Sequence, residues 1–435
     1  MRNLLCICWF VLMAAILLNA QDAQPAAPQH PGSEVMNQSV PMVELLEQAE
    51  GGNAHAQYLL AYAYTDGRSG MPKKDAEALR WCLAAAQNGL AEAQNRMGYF
   101  YKYGLGVRQD YEEAVRWFRS AAEQGLAAAQ NNLAHMYQNG EGVKLDYARA
   151  ADLYRQAAAQ GLAPAQNGLG MAYLHGNGVP KDQAAALDLF RLAAEQGLSA
   201  AQHNLGMMYF EGRGIPRNYP EALQWFGKAA NQGSLATYRA LGHMYEFGNG
   251  VDRDPEKAAE LYRKAAEQGL VNAQLELAEL YHVGRGFPHD YFEAAKWYQR
   301  AAEQGHPAAE NAVGYMYYQG LGVRRDYRQA AEWFLKAANQ RYALAQANLG
   351  ALYEGGLGVP LDYGEAYKWF TLSAQAGLAQ SKSAIKTLTQ IMTTAQLRNG
   401  QSRVSDWVSR NNSSTLASQT AETQELDTYV SARQP

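Results

Sequence analysis

The side chains best suited to catalysis or metal binding in this sequence are nine histidines and three cysteines. Zinc hydrolases, redox proteins and serine hydrolases carry short spacings such as H-E-x-x-H, C-x-x-C and G-x-S-x-G, and none of the three occurs here. His203 and His243 are the one histidine pair expected on the same face of neighbouring segments, and two histidines alone do not complete a zinc site. The sequence therefore predicts a protein that is not an enzyme, with no catalytic residue, no metal site and no cofactor.

The cysteines point away from redox chemistry. Cys6 and Cys8 lie in an apolar N-terminal run, and Cys82 is the only thiol outside it. Because a single cysteine cannot close an intramolecular disulfide, folding is not expected to depend on oxidation. Cys82 stands where equivalent segments carry an aromatic residue, which predicts a buried small hydrophobe and not a reactive thiol.

A strict period organises the elements that would position any site. Glycines recur every 36 residues at Gly89, Gly125, Gly161, Gly197, Gly233, Gly269 and Gly305, and Arg341 and Gly377 continue the count. A period of this length indicates a solenoid, in which one supersecondary unit stacks on copies of itself. Proteins of this kind work by presenting a long surface to a partner.

Each repeat is predicted to be a pair of helices. In the repeat that begins at Gly125, apolar residues at helical spacing predict a first helix over Ala127–Gln138, and Gly140 and Gly142 end it. Similar glycine pairs follow the first helix in other repeats. No strand pattern precedes these pairs and no Lys-Ser/Thr follows them, so they are not interpreted as phosphate-binding loops.

The second helix of each repeat has a predicted start, core and end. Asp110 followed by Glu113 predicts a reciprocal N-terminal capping box. Two adjacent registers predict a buried aromatic stripe: Trp81, Trp117, Trp225, Trp297, Trp333 and Trp369, then Phe118, Tyr154, Phe190, Phe226, Tyr262, Tyr298, Phe334 and Phe370. The periodic glycine should end the helix in the left-handed conformation, where Arg341 costs about 1 kcal/mol.

These motifs carry a family resemblance. The segments EQGLAAAQNNLAHMY, GEGV, DYEEAVRWF and KAAEQG resemble the Sel-like repeat, a relative of the tetratricopeptide repeat, over about residues 52–376 in nine units. The resemblance implies an all-α fold, a right-handed α/α solenoid superhelix of nine 36-residue helix-turn-helix repeats with capping helices. It also implies an adaptor or assembly scaffold, often in bacterial envelopes. The disulfide of cysteine-rich relatives is not expected, because their cysteines are missing.

The flanking segments complete the predicted organisation. Residues 1–20 predict a signal peptide and residues 21–41 a disordered linker. The solenoid with its N-terminal cap helix should occupy residues 42–376, capping helices residues 377–410, and a disordered tail residues 411–435. Removal of the signal peptide leaves no expected membrane-spanning segment.

The partner-binding surface is predicted on the first helices. In tetratricopeptide-like stacks these helices line the concave wall, and with the periodic glycine as position 1, positions 7, 11 and 14 should point into it. Asparagines there could hydrogen-bond an extended peptide, and apolar residues could form its floor. The predicted residues are Tyr62, Tyr99, Asn131, His135, Asn167, Met171, Leu174, His203, Met207, Phe210, His243, Asn311, Tyr315 and Tyr318.

Charge and targeting limit the possible partners. The net charge of −4 argues against nucleic acid and against an anionic membrane surface. The N-terminal run predicts export, with the periplasm favoured and secretion as the alternative. A protein or peptide partner of an envelope scaffold is the main hypothesis. The alternatives are a secreted factor that engages a host protein, a cell-wall-acting enzyme and an ER-luminal adaptor.

Overall fold

The computed structural model describes residues 42–66, 74–285 and 288–412. In these ranges it contains 21 α-helices and no β-strand. The predicted signal peptide and linker, and the tail beyond residue 412, lie outside the described residues. The helices are α1 (Met42–Glu50), α2 (Ala54–Asp66), α3 (Asp75–Gln87), α4 (Ala91–Tyr103), α5 (Tyr111–Glu123), α6 (Ala127–Asn139), α7 (Tyr147–Ala159), α8 (Ala163–His175), α9 (Gln183–Glu195), α10 (Ser199–Glu211), α11 (Tyr219–Ala230), α12 (Leu235–Phe247), α13 (Pro255–Glu267), α14 (Val271–Val283), α15 (Tyr291–Glu303), α16 (Pro307–Gln319), α17 (Tyr327–Asn339), α18 (Ala343–Gly355), α19 (Tyr363–Gln375), α20 (Ala379–Ile391) and α21 (Thr394–Asn412).

The helices form an all-α solenoid of successive helix pairs, as predicted. First helices have even numbers from α2 to α18 and second helices odd numbers from α3 to α19. Successive helices pack together from α1 to α11 and from α13 to α20. The chain divides into two compact blocks between Leu241 and Gly242, inside α12. We call residues up to Leu241 the N-terminal block and those from Gly242 the C-terminal block.

Second helices from α5 to α19 begin at a side-chain cap, whereas Lys74 before α3 makes no side-chain cap hydrogen bond. Asp110 Oδ1 accepts a 3.0 Å hydrogen bond from Glu113 N, which confirms half of the predicted capping box. The other half is wrong, because Asp110 N donates to Tyr101 O at 2.9 Å on the preceding first helix. The glutamate is used elsewhere. In α15 the carboxylate of Glu293 accepts a 3.1 Å bond from Trp297 Nε1.

Second helices end at the periodic position, as predicted. Gly125 follows the C-cap residue Gln124 and adopts φ 87°, in the left-handed region that glycine enters at little cost. Arg341 adopts the same conformation with φ 63° and is the one non-glycine residue with positive φ in the described ranges. The expected local strain is therefore present at Arg341.

The two aromatic registers differ in burial. The second register is fully buried, and first helices carry glycine or alanine where they meet it; an added Cβ on Gly206 would lie 2.5 Å from the Phe226 ring. The tryptophan register was predicted to be core, but Trp225 is only half-buried and Lys228 Nζ lies 3.8 Å from its ring centroid. Trp225 therefore covers the core and does not fill it. Trp117 and Trp333 are also half-buried, whereas Trp81, Trp297 and Trp369 are buried.

The turns between the helices of a pair also require glycine because the preceding repeat packs closely against them. A Cβ at Gly142 would collide with the backbone of Tyr111, at the start of the second helix of the preceding repeat. Gly178 meets Tyr147 and Gly322 meets Tyr291 in the same way. The glycine pair therefore permits close stacking of successive repeats.

Candidate functional site

The first-helix face, meaning positions 7, 11 and 14 of the repeats, is less exposed than predicted. None of the predicted residues is fully exposed, because this face also carries contacts between successive first helices. The buried members are Tyr62, Asn131, Leu174, His203 and Asn311. The half-buried members are Tyr99, His135, Asn167, Met171, Met207, Phe210, His243, Tyr315 and Tyr318.

Asparagines of the face join successive repeats. In each pair the Oδ1 atom of a position-7 asparagine accepts a hydrogen bond from the asparagine at position 8 of the next repeat. The pairs are Asn95 with Asn132 at 2.8 Å, Asn167 with Asn204 at 2.8 Å and Asn311 with Asn348 at 2.9 Å. Asn131 Oδ1 is buried with no hydrogen-bond partner among the described residues. Asn131, Asn167 and Asn311 were predicted to bind a peptide. Their side chains are instead buried or already hydrogen-bonded within the fold.

Three predicted floor residues contact the core, which corrects the expected register. Tyr62 is buried, with Arg96 Cζ 4.1 Å above its ring centroid. Leu174 belongs to the apolar cluster of α8–α10. Phe210 was expected to stand apart from the core, but its ring centroid lies 6.4 Å from that of Phe226. The direction of a side chain on this face depends on how closely the next repeat packs.

Met171 and Met207 remain half-buried at equivalent positions of α8 and α10. Met171 packs against the cluster of α8–α10, and its sulfur lies 3.7 Å from Asn204 Nδ2. Met207 is outside the buried members of that cluster. Together with Phe210, these side chains give the N-terminal block a row of partly accessible apolar groups beside the Asn167–Asn204 amide pair.

His135 and His203 of the face are desolvated neutral groups. Burial lowers the pKa of His135 to about 4, and the positive charge of Lys102 acts in the same direction. Burial likewise lowers the pKa of His203 to about 4, and a 2.9 Å hydrogen bond joins its Nδ1 to Thr237 Oγ1. His243 lies on the C-terminal block, where its ring centroid is 4.5 Å from that of Phe247. The residues that the structure describes contain no cluster of three potential metal ligands.

The C-terminal block carries a charged cluster that the sequence analysis missed. Buried Tyr262 donates a 2.9 Å hydrogen bond to Glu246 Oε2, and Arg285 Nη1 lies 2.5 Å from Glu246 Oε1. Arg285 also lies 3.5 Å from Glu279 Oε1. Burial raises the pKa of Glu246 and of Glu279. The signal was available, because Glu246 and Glu279 occupy positions 14 and 11 of successive repeats, where Phe210 and Met207 stand in an earlier repeat.

Recurring glutamine pairs, each of one exposed and one buried residue, were also missed. Gln124 Nε2 donates to Gln94 Oε1 at 2.8 Å and to Gly89 O at 3.0 Å. Gln160 and Gln130 repeat the first bond at 2.9 Å one repeat later. The recurrence of Gln at two fixed positions was the sequence signal. Because a buried amide is stabilised when it is paired, these bonds hold the end of the second helix against the first helix within each repeat.

The remaining chemically capable side chains are isolated. Ser383 and Lys386 have a Ser-x-x-Lys spacing on α20, but both are exposed and lack a surrounding pocket. Cys82 is buried as predicted, and desolvation raises its pKa to about 12. Among the described helices, none is both long enough and apolar enough to span a membrane.

A model of the Sel1 repeat matches the chain nine times. The matches cover residues 54–90, 91–126, 127–162, 163–198, 199–234, 236–270, 271–306, 307–342 and 343–378. The chain belongs to the Sel1 repeat family. Proteins built from Sel1 and tetratricopeptide-like repeats are generally protein-interaction scaffolds, and Sel1 proteins are typically non-catalytic.

Solved structures of relatives agree with this assignment. A Sel1 repeat protein from Oxalobacter formigenes is 32% identical, with 78% of this chain and 99% of that chain covered and a TM-score of 0.53. A protective antigen of uropathogenic Escherichia coli strains, which displays an SLR fold, is also 32% identical, with 85% and 86% covered and a TM-score of 0.49. No curated protein matches the chain.

Proposed function

We propose that this Sel1 repeat protein is a non-catalytic adaptor whose first-helix face binds a peptide or protein partner. The observation that carries the proposal is the row of half-buried Met171, Met207 and Phe210 on successive first helices of the N-terminal block. A scaffold without a partner would place Glu, Lys or Gln at such positions. Partly accessible Met and aromatic side chains in a row favour a binding surface, because these residues contribute large contact areas to protein interfaces.

Polar pairs beneath this row support binding by holding it in place. Asn204 bonds to Asn167, and Gln232 Nε2 donates to Gln202 Oε1 at 2.8 Å. The asparagine pair links two successive repeats, and the glutamine pair links the end of α11 to α10 within one repeat. A surface that is ordered before binding loses less conformational entropy when the partner arrives.

Site-specific photo-crosslinking tests this proposal. A photoreactive residue at Met207 should give a discrete crosslinked protein in cells of the native host. The matched control places the same group at Leu192 on α9, which is 51% exposed and lies on a second helix of the same block. Equal crosslinking from both positions would contradict a partner seated on the first-helix face.

We further propose that the protein acts outside the cytoplasm, in the periplasm. Support comes from the sequence of residues 1–20, which starts with a charged Arg2 and continues as an apolar run. The mature protein purified from its host should begin near Gln21 by mass spectrometry and should be found in the periplasmic fraction. Recovery from the medium would favour the alternative, a secreted factor that engages a host protein. An intact Met1 would refute export by cleavage.

A further inference from the structure

The last two helices do not form a tenth repeat. In the repeats of the C-terminal block, the first helix meets the aromatic core through a small residue, as Gly314 meets Phe334 and Gly350 meets Phe370. The equivalent residue of α20 is an exposed lysine, Lys386. A lysine there cannot admit the aromatic residue of a following helix. The chain therefore turns back, and α21 packs on α19.

Two contacts seat α21 on α19. Arg403 Nη1 lies 2.8 Å from Asp362 Oδ2 and 2.9 Å from Glu365 Oε1, so one guanidinium group meets two carboxylates. The indole of Trp407 packs edge-on against Trp369, with 6.3 Å between ring centroids. The seat thus combines an acidic end with an apolar centre.

Arg341, whose backbone is strained, supplies a third contact through its side chain. Its Nη2 donates a 3.1 Å hydrogen bond to Asn411 O near the end of α21, and its guanidinium carbon lies 5.7 Å from the Trp407 ring centroid. A glycine at this periodic position would adopt the positive φ with little strain but would lose both contacts. The departure from the repeat pattern therefore coincides with the seat of α21.

The residues of α21 at this contact are less buried than the residues of α19 beneath them. Among the described residues of α21, only Gly400 is buried, and Val404, Trp407 and Val408 are half-buried. Beneath them, Trp369 is 2% exposed and Leu372 is 4% exposed. A helix with few buried apolar groups opens at low free energy, and opening would uncover a large apolar surface.

We propose that the surface formed by Asp362, Glu365, Trp369 and Leu372 is a helix-docking groove. In this proposal α21 covers the groove and can dissociate from it. The partner that fits is an amphipathic helix with one arginine followed by apolar residues one, four and five positions later. This is the pattern of Arg403, Val404, Trp407 and Val408. Charge complementarity at the acidic end and an aromatic contact at the centre specify the partner.

The test uses the full-length protein and a fluorescent synthetic peptide with the sequence of residues 394–412. Arg403→Glu should speed hydrogen exchange throughout α21, because it replaces attraction to Asp362 and Glu365 with repulsion. The peptide retains its arginine and should bind this variant at least tenfold more tightly than the wild type, measured by fluorescence anisotropy. Arg398→Glu is the matched control, an exposed residue of the same helix. It should behave like the wild type.

Three outcomes would overturn the proposal. These are an α21 that stays protected in Arg403→Glu, a released α21 with no peptide binding, and equal binding by the Arg398→Glu control. A concentration-dependent dimer in light scattering would assign the groove to α21 of a second copy and not to a partner helix. If Arg403→Glu loses helicity beyond α21, Trp407→Ala provides the same test without a charge reversal.

Discussion

Asn204 Nδ2 donates a 2.8 Å hydrogen bond to Asn167 Oδ1, so an asparagine predicted to grip a bound peptide also joins two successive first helices. Asparagine side chains join the first helices by hydrogen bonds and also lie beside the row of Met171, Met207 and Phe210. This double use explains why the face is half-buried. It also places the most useful substitutions at residues such as Met207 that lie outside the buried core.

Gly206→Ala should destabilise the N-terminal block by about 1–3 kcal/mol, because the added methyl group would overlap the Phe226 ring. Gly227→Ala is the control, since a Cβ at this helical position meets nothing within 4 Å. It should stabilise by about 0.5–1 kcal/mol through helix propensity. Urea unfolding measures both changes, and equal effects would contradict the close contact of Gly206 with the core.

Arg341→Gly should be more stable than Arg341→Ala by about 1 kcal/mol. Both variants lose the side chain that reaches Asn411, but only alanine keeps a Cβ in the left-handed conformation at φ 63°. Thermal unfolding of the two variants isolates this backbone contribution. Identical midpoints would show that Arg341 carries no strain.

His203 should make the protein less stable as the pH falls from about 6.5 to about 4. Its folded-state pKa of about 4 lies below the ordinary value of 6.5, so the neutral form is stabilised by folding. That stability is complete above pH 6.5 and decreases by up to about 1.4 kcal/mol for each pH unit below it. His203→Gln should reduce this slope in urea titrations.

Cys82 should resist alkylation while the N-terminal block is folded. Its thiol is buried and its pKa is raised to about 12, so little thiolate is present at pH 8. Labelling with iodoacetamide should rise steeply across the urea transition and should report the unfolding of this block. Rapid labelling of the native protein would contradict the burial of Cys82.

Local signals allowed most of the fold to be predicted from the sequence. The cap at Asp110 and the end at Gly125 each act within one helix pair, so their spacing is enough. Burial of Trp225 and Leu174 could not be predicted in this way, because it depends on how closely a neighbouring repeat packs. The return of α21 onto α19 was missed for the same reason, although Lys386 marks the end of the repeat pattern.

Partner binding by a Met207→Lys variant tests the central claim most directly. Once crosslinking has identified the partner, titration calorimetry should show a loss of affinity of at least about tenfold, or ~1.4 kcal/mol, because a charge replaces an apolar contact. Leu192→Lys should bind like the wild type, and circular dichroism should show both variants folded. Unchanged affinity in folded Met207→Lys would contradict binding on the first-helix face.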